Sequence, residues 1–502
     1  MKTTSKLLCL ILAIMMMLPM IASCDLFGKK DGDGATNPAA DDPAATPKDE
    51  IYTMTGLDEK TFENEFFVVG YSFGGGTYIS MWIPKPVNVT MLDAKDDIVA
   101  EAAYKRDARF ESLTGARLNY QGYATNPNVY GSAYSESAKF IDLHTGGILK
   151  DYDMLMFGAA TAGKLIQEKV LMDLNEYDNL VHHDADYYTS TINADLSMAG
   201  KQFATAGYYT TGNIRGAQAT KVNNTALTNQ HGENIISELY DLAINKQWTL
   251  EKLLSYDAGF ATGNVNGDTT DKYTLVTAQY GVENLYYALG GTLISKNSQD
   301  LPVVTVNSTE NQARLSRIQS ITRDTTKVFV ARESGSGAYF GAGSALFCID
   351  MLGSFGGVRD VHNIDECLMP IPLETEGGEY KSFIPTWNAN VSGIPAQSAD
   401  AETSAYFYEM YMGLSYLYIY PAFYEKTMKL TYVNNEIESQ IFDMIANSVC
   451  LDVAGVYTWL NENNTDIRNL CDNKAEVTAT VTNLASTLQS KIDEFLGNYE
   501  ID

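Results

Sequence analysis

The chain has 502 residues, with 35 Lys+Arg against 63 Asp+Glu and a formal net charge of −28. Such a surface repels nucleic acid and anionic headgroups, which excludes nucleic acid as a partner. Tyrosine is abundant at 32, beside 19 Phe and 4 Trp; these rings fill cores by default and can also line a pocket.

Lys2 and Lys6 precede an apolar run from Leu7 to Ile21, which ends in Ala22-Ser23-Cys24. A positive start, a short apolar segment and small residues before the cut define an export signal over residues 1–23. Cysteine directly after Ala22-Ser23 resembles the bacterial lipoprotein pattern, which implies a mature chain beginning at a diacylated Cys24. Two or more acyl chains anchor well because each buried methylene adds roughly 0.8 kcal/mol. The alternative is an ordinary cleaved signal with an incidental cysteine, since Ile21 stands where the pattern usually has leucine. Residues 24–50 are rich in Gly, Ala, Pro, Thr and Asp and form a flexible linker with too little apolar surface to fold.

From about Ile51 the chain is long enough for more than one domain, at roughly 150 residues each. Glu65-Phe-Phe-Val-Val-Gly70 reads as a strand, Asp97–Leu113 as an amphipathic helix, and Ala116–Tyr120 as a second strand. A helix around Ser135–Leu149 leads to a short apolar strand, Tyr152–Phe157, ending in Gly158. Strand and helix in alternation predict a parallel sheet covered on both faces, with ligands at the carboxyl ends of its strands. Farther on, Tyr406–Tyr420 is short, contains Glu409 and is crowded with tyrosine, so it reads as a buried helix rather than a membrane span.

Signatures for chemistry are missing: there is no His-Glu-x-x-His, no phosphate-loop motif and no Gly-x-Ser-x-Gly. His182-His183 reads as two solvated imidazoles in a loop, and Gly335-Ser-Gly337 with Gly341 misses the dinucleotide fingerprint by one residue and reads as a turn. Asn264–Asp271 alternates oxygen-bearing side chains, yet glycine and the acid fall at the wrong positions for a calcium loop, so an Asx-rich turn is expected. Cys348, Cys367, Cys450 and Cys471 show no metal-ligand spacing; disulfides, as Cys348–Cys367 or Cys450–Cys471, and free thiols are both open readings. No catalytic residue, metal or cofactor is expected.

The order of these landmarks resembles the extracellular solute-binding proteins of sugar-type ABC importers, family 1. The opening strand, the helix holding Ala102-Ala-Tyr-Lys-Arg-Asp-Ala-Arg-Phe-Glu111, and Asp153-Met-Leu-Met-Phe157-Gly158 are similar to its first lobe. Val170-Leu-Met-Asp-Leu-Asn175, Leu196–Phe203, Gln247-Trp-Thr-Leu250, Gly343–Phe347, Leu368–Pro372 and Tyr420–Tyr424 resemble downstream landmarks. One departure is Ala219-Thr-Lys-Val-Asn-Asn224, where relatives carry a strand like Tyr-Phe-Asn-Lys; the register of that strand stays open.

The resemblance implies an α/β, two-lobed, periplasmic-binding-protein-like (type II) fold with a hinge and a central cleft. Lobe 1 is expected over 51–206 plus 354–396 and lobe 2 over 207–353 plus 397–502, with crossings near 204–212, 353 and 395. It further implies a non-enzymatic monomer that captures a carbohydrate, an oligosaccharide above all, outside the cytoplasmic membrane and hands it to ABC permease subunits. A surface glycan-binding or sensor-coupled lipoprotein, or a secreted glycosidase, are the alternatives. Ligand contacts are expected where strands end at the cleft, at Tyr71, Phe157, Tyr208, Tyr209, Trp387, Asn388, Tyr457 and Trp459.

Overall fold

A computed structural model describes residues 48–63, 65–73, 98–124, 133–262, 270–331, 335–354, 364–429, 433, 435–460, 465–472 and 474–499, all within the unit Pro47–Asp502. Cys24, the signal, the linker up to residue 47 and all but the last two residues of Asn264–Asp271 lie outside the described residues.

The first sheet grows from β1, Phe66–Phe73. Its Phe-Phe-Val-Val start suits a pleated, half-covered surface, and Phe67 and Val69 are fully buried while Phe66 is 49% exposed. β1 pairs in parallel with β2 (Arg117–Ala124), Phe67 opposite Leu118, and with β3 (Met154–Gly158), Val69 opposite Met154. β3 is buried at every position, as a strand covered on both faces must be. β9 (Asn390–Gly393) lies antiparallel along the other side of β3, Val391 opposite Phe157, which gives the order β9-β3-β1-β2.

A second sheet has the order β8-β4-β7-β5-β6, where β4 is Gln218–Asn223, β5 Tyr273–Ala278, β6 Val328–Ala331, β7 Ala345–Met351 and β8 Glu366–Met369. β5, β6 and β7 run parallel to one another, and β4 runs against β7 and β8. The register left open at Ala219–Asn224 is Ala219 opposite Asp350 and Val222 opposite Phe347.

Helix Ile98–Thr114 turns Ala102, Ala103, Phe110 and Leu113 inward and packs on helix Ala401–Tyr420. The latter is apolar on nearly all sides, as a buried helix is, and starts at Asp400, whose side chain accepts from the Thr403 amide. At Pro421 it continues as a π-helical stretch to Lys429. Among the described residues no helix is long and apolar enough to cross a membrane.

Three local expectations change and one open reading is decided. The second helix spans Ala133–Thr145 and stops short of Leu149, because Gly146-Gly147 breaks it, Gly147 adopting φ +67°. Ser336–Gly341 is itself a short helix rather than a turn. The four cysteines are free thiols. The two histidines are bonded rather than solvated: His182 Nδ1 meets Glu409 and His183 Nε2 meets Asn175 Oδ1.

The chain passes from the first sheet to the second through 204–217. At the crossing expected near 353, Leu352–Ser354 is a single turn after β7, and the next described strand, β8, pairs with β4 in the second sheet. The return runs from Met369 to Asn390. Segment 354–396, expected wholly in lobe 1, is therefore shared between the sheets, and helix Ala401–Tyr420, expected in lobe 2, packs on helices Ile98–Thr114 and Lys48–Thr55. A third passage follows helix Ala401–Tyr420, since helix Glu436–Ala446 packs on β8. The first passage is bonded to β9, where the second passage ends: Thr205 and Ser392 exchange backbone hydrogen bonds at 2.8 and 2.9 Å.

Candidate functional site

The carboxyl ends of the two sheets meet around segment 384–390. At the end of β3, the buried Glu136 carboxylate accepts from the Gly158 amide at 3.2 Å and from Thr161 Oγ1 at 2.8 Å. The Ala159 and Ala160 amides then donate to the carbonyls of Ala389 and Thr386, at 2.9 and 3.3 Å. This fastens the start of helix Ala159–Gln167 to the segment that carries Trp387.

From the second sheet, β7 ends at Asp350-Met351 and β5 ends where helix Gln279–Ala288 begins. Tyr280, in the first turn of that helix, stands edge-on to Trp387, with ring centroids 6.5 Å apart and planes at 81°. Beside it, Asn388 Nδ2 lies 3.6 Å from Met351 Sδ. Gly216 lets these parts approach closely: a Cβ there would sit 2.6 Å from Asn388 Nδ2 and 2.8 Å from an Ile384 methyl, and one of those side chains would have to shift.

A groove of about 870 Å³ adjoins this junction, and its residues include Ser137, Ala160, Lys164, Thr458, Trp459 and Phe495. Its size falls in the range of small-molecule sites. Ala160 links the two places, since its carbonyl accepts from Thr458 Oγ1 at 3.2 Å. The charged walls are internally paired, Lys164 with Glu168 at 2.7 Å and Lys491 with Glu494 at 3.2 Å. Tyr457 and Trp459 stack at 5.1 Å and 26°, with Phe495 edge-on to both. The Tyr457 hydroxyl donates to the Leu196 carbonyl at 2.8 Å.

The structure therefore brings Trp387 and Asn388 together at the junction, and Tyr457 and Trp459 together at the groove. Trp387 is half-buried, whereas Asn388, Tyr457 and Trp459 are buried. Tyr71 is half-buried near the end of β1, and burial raises its hydroxyl pKa above the ordinary 10. Phe157 and Tyr209 have no exposed surface and lie in the core. Tyr208 packs among Tyr416 and Tyr420, centroids 5.4 and 4.5 Å away, and burial pushes its pKa up to about 12. The pocket it lines holds about 20 Å³, room for roughly one water molecule and no more.

Sequence reasoning missed Tyr280, Asp350 and Glu136. Tyr280 had a usable signal, because it follows the unbroken run Tyr273–Ala278, and strand ends are where ligands collect. Among the described residues no cluster of three His, Cys, Asp or Glu side chains could hold a metal ion.

No protein-family model matches the sequence, and no curated protein matches it. Solved structures do. The fold is the two-lobed α/β fold of solute-binding proteins. In particular, the chain is similar to a cyclo/maltodextrin-binding protein complexed with maltotetraose, with TM-score 0.54, 12% identity, and coverage of 86% of this chain and 98% of that one. It also matches a Thermus thermophilus maltotriose binding protein (TM-score 0.48, 12% identity, 84% and 99% coverage). A further match is an ABC substrate-binding protein from Listeria monocytogenes in complex with cycloalternan (TM-score 0.47, 15% identity, 86% and 100% coverage).

Proposed function

We propose that the protein is a lipid-anchored extracellular solute-binding protein that captures a carbohydrate, an oligosaccharide above all, and delivers it to an ABC importer without chemistry. The observation that carries this is the Trp387–Tyr280 ring pair at the meeting of the two sheets' carboxyl ends, beside a groove of about 870 Å³. Sugars present a C–H face that packs on aromatic rings and hydroxyls that take amide and carboxylate partners; Asn388 and the groove's polar rim supply such groups. The likeness in fold to a maltodextrin-binding protein supports the same reading. Closure of the two lobes about their three passages would commit the ligand. Of the expected contacts, Trp387 and Asn388 lead, followed by Tyr71, Tyr457 and Trp459; Phe157, Tyr208 and Tyr209 would need a rearrangement to reach a ligand.

Anchoring rests on Ile21-Ala-Ser-Cys24 and the polar linker behind it, which would let the folded part range over the membrane to permease subunits.

A thermal-shift screen over oligosaccharides, maltotetraose first, tests the reading. A ligand at 100 times its dissociation constant stabilises the native state by about 2.7 kcal/mol, and Trp387→Ala should abolish that shift. Absence of any shift across the set, or turnover of the saccharide, would end it. Mass spectrometry of the mature amino-terminal peptide tests the anchor, where an unmodified Cys24 would remove the lipid.

A further inference from the structure

Asp350 closes β7 with its side chain inside the protein, at 2% exposure. Its carboxylate gathers donors from separate elements. The Tyr280 hydroxyl gives to Oδ1 at 3.1 Å from the first turn of helix Gln279–Ala288. Ser336 Oγ gives to Oδ2 at 3.0 Å from helix Ser336–Gly341, and the Met351 amide gives to Oδ1 at 2.8 Å. One side chain thus ties three pieces of the second sheet's carboxyl edge to one point.

The consequence falls on Tyr280. A tyrosine in a first helical turn can choose among staggered rotamers, but here the hydroxyl is held from below while the ring stands edge-on to Trp387. Trp387 belongs to the passage that returns to the first sheet, so the ring pair spans the junction of the two halves. A contact surface ordered before binding spares the complex that ordering cost.

The geometry points to Asp350 as the positioning residue of the cleft: it holds Tyr280 by its hydroxyl, so that the Tyr280–Trp387 ring pair stands formed before a ligand enters. The purpose of the device rests on the saccharide-binding reading; its geometry does not. It also bears on what the ligand can place there. With the phenol proton given to Asp350, any group that meets that oxygen from the cleft must itself donate, as a neutral sugar hydroxyl does and a carboxylate or phosphate oxygen does not.

Trp387 fluorescence, isolated by subtracting the spectrum of the same protein carrying Trp387→Phe, tests the positioning without any ligand. Asp350→Ala and Tyr280→Phe should each shift the Trp387 component, and Asp350→Asn, whose amide oxygen still accepts from the hydroxyl, should restore it. Adding Asp350→Ala to Tyr280→Ala should change nothing further. An unmoved Trp387 component in both Asp350→Ala and Tyr280→Phe overturns the proposal, as does an Asp350→Ala shift that persists without the Tyr280 ring. If Asp350→Ala does not fold, Tyr280→Phe decides alone, since it cuts the same tether and keeps the ring. Titration with maltotetraose then separates the two claims: Tyr280→Phe should weaken binding about tenfold. Full affinity in Tyr280→Phe overturns the positioning role in capture, whereas an unaltered protein that ignores maltotetraose while the emission results hold counts against the saccharide reading alone.

Discussion

His182 Nδ1 lies 3.1 Å from Oε1 of Glu409, a carboxylate with no exposed surface in the middle of helix Ala401–Tyr420. The same carboxylate accepts from the His182 amide at 3.1 Å, from the Tyr188 hydroxyl at 2.6 Å, and from the Tyr187 hydroxyl. A buried charge needs such partners. The hydrogen bond to Glu409 raises the His182 pKa above its ordinary 6.5 against partial burial, helped by the charges of Glu409 and Asp184 and by the Thr55 carbonyl.

A raised histidine pKa in the folded state makes a stability contribution that is complete below the unfolded value, near pH 6.5, and fades as pH rises through the folded value. The melting temperature of the protein should therefore exceed that of His182→Gln by more at pH 6 than at pH 9. Calorimetry at constant ionic strength checks this; a difference independent of pH would show that the proton is not shared with Glu409.

Gly163 admits no side chain. A Cβ there would stand 2.3 Å from the Tyr457 Cα and 2.6 Å from its carbonyl carbon, and backbone cannot rotate away as a side chain can. Gly163→Ala should cost about 1–3 kcal/mol, measured by denaturant unfolding, and should push Tyr457 and Trp459 off the groove.

Arg106 is completely buried, with Nε 2.8 Å from Asp107 Oδ1, a terminal nitrogen 2.9 Å from the Tyr120 hydroxyl, and its guanidinium 4.3 Å from the Tyr411 ring centroid. Removing it strands Asp107, whose pKa burial already raises despite the arginine. Arg106→Met should cost about 3–5 kcal/mol, and Arg106→Met with Asp107→Asn should lose less than Arg106→Met alone. Equal losses would mean that packing, not the uncompensated charge, sets the cost.

Tyr209 and Tyr208 are neighbours with different expected responses. Tyr209 is wholly buried, so Tyr209→Ala should cost roughly 3–5 kcal/mol of stability, the range for truncating a large buried ring, and, under the proposed function, should alter ligand affinity only through that loss. Tyr208→Ala, at a half-buried ring, should cost less. Unliganded melting curves beside calorimetric titration distinguish them; a selective affinity loss in either would bring the first passage into the ligand site.

Three strands of the first sheet were readable because β1 and β3 are short apolar runs and an amphipathic helix and a second helix separate them from β2, and β3 could be placed within two residues from Tyr152–Phe157; β9, Asn390–Gly393, was not read. The lobe boundaries were not. β8 is as apolar as a first-sheet strand, and only its antiparallel pairing with β4, Leu368 opposite Lys221, says where it belongs; alternation of apolar residues carries no information about the partner strand. The site divides the same way. Trp387 was visible as an aromatic beside Asn388, but Asp350 looked like any acid among 63 Asp+Glu, and its role depends on Tyr280 and Ser336, which the chain delivers from other elements. Glu409 and His182 illustrate the limit: each read alone gave a helix and a loop, and their pairing exists only in three dimensions.

The placement of β9 has a consequence for how the chain must fold. β3 gains its second neighbour only when Asn390–Gly393 arrives, and the whole second sheet is encoded between them. Until then a wholly apolar strand has one open edge, the kind that recruits stray partners, and closing so long a loop is slow because its entropy cost comes before its contacts. The first sheet cannot close until the second has been made, and helix Glu436–Ala446, later still in the chain, packs on β8, so unfolding should occur as one cooperative transition rather than two, and a nascent chain stalled before Gly393 should be sticky and protease-sensitive along Met154–Gly158.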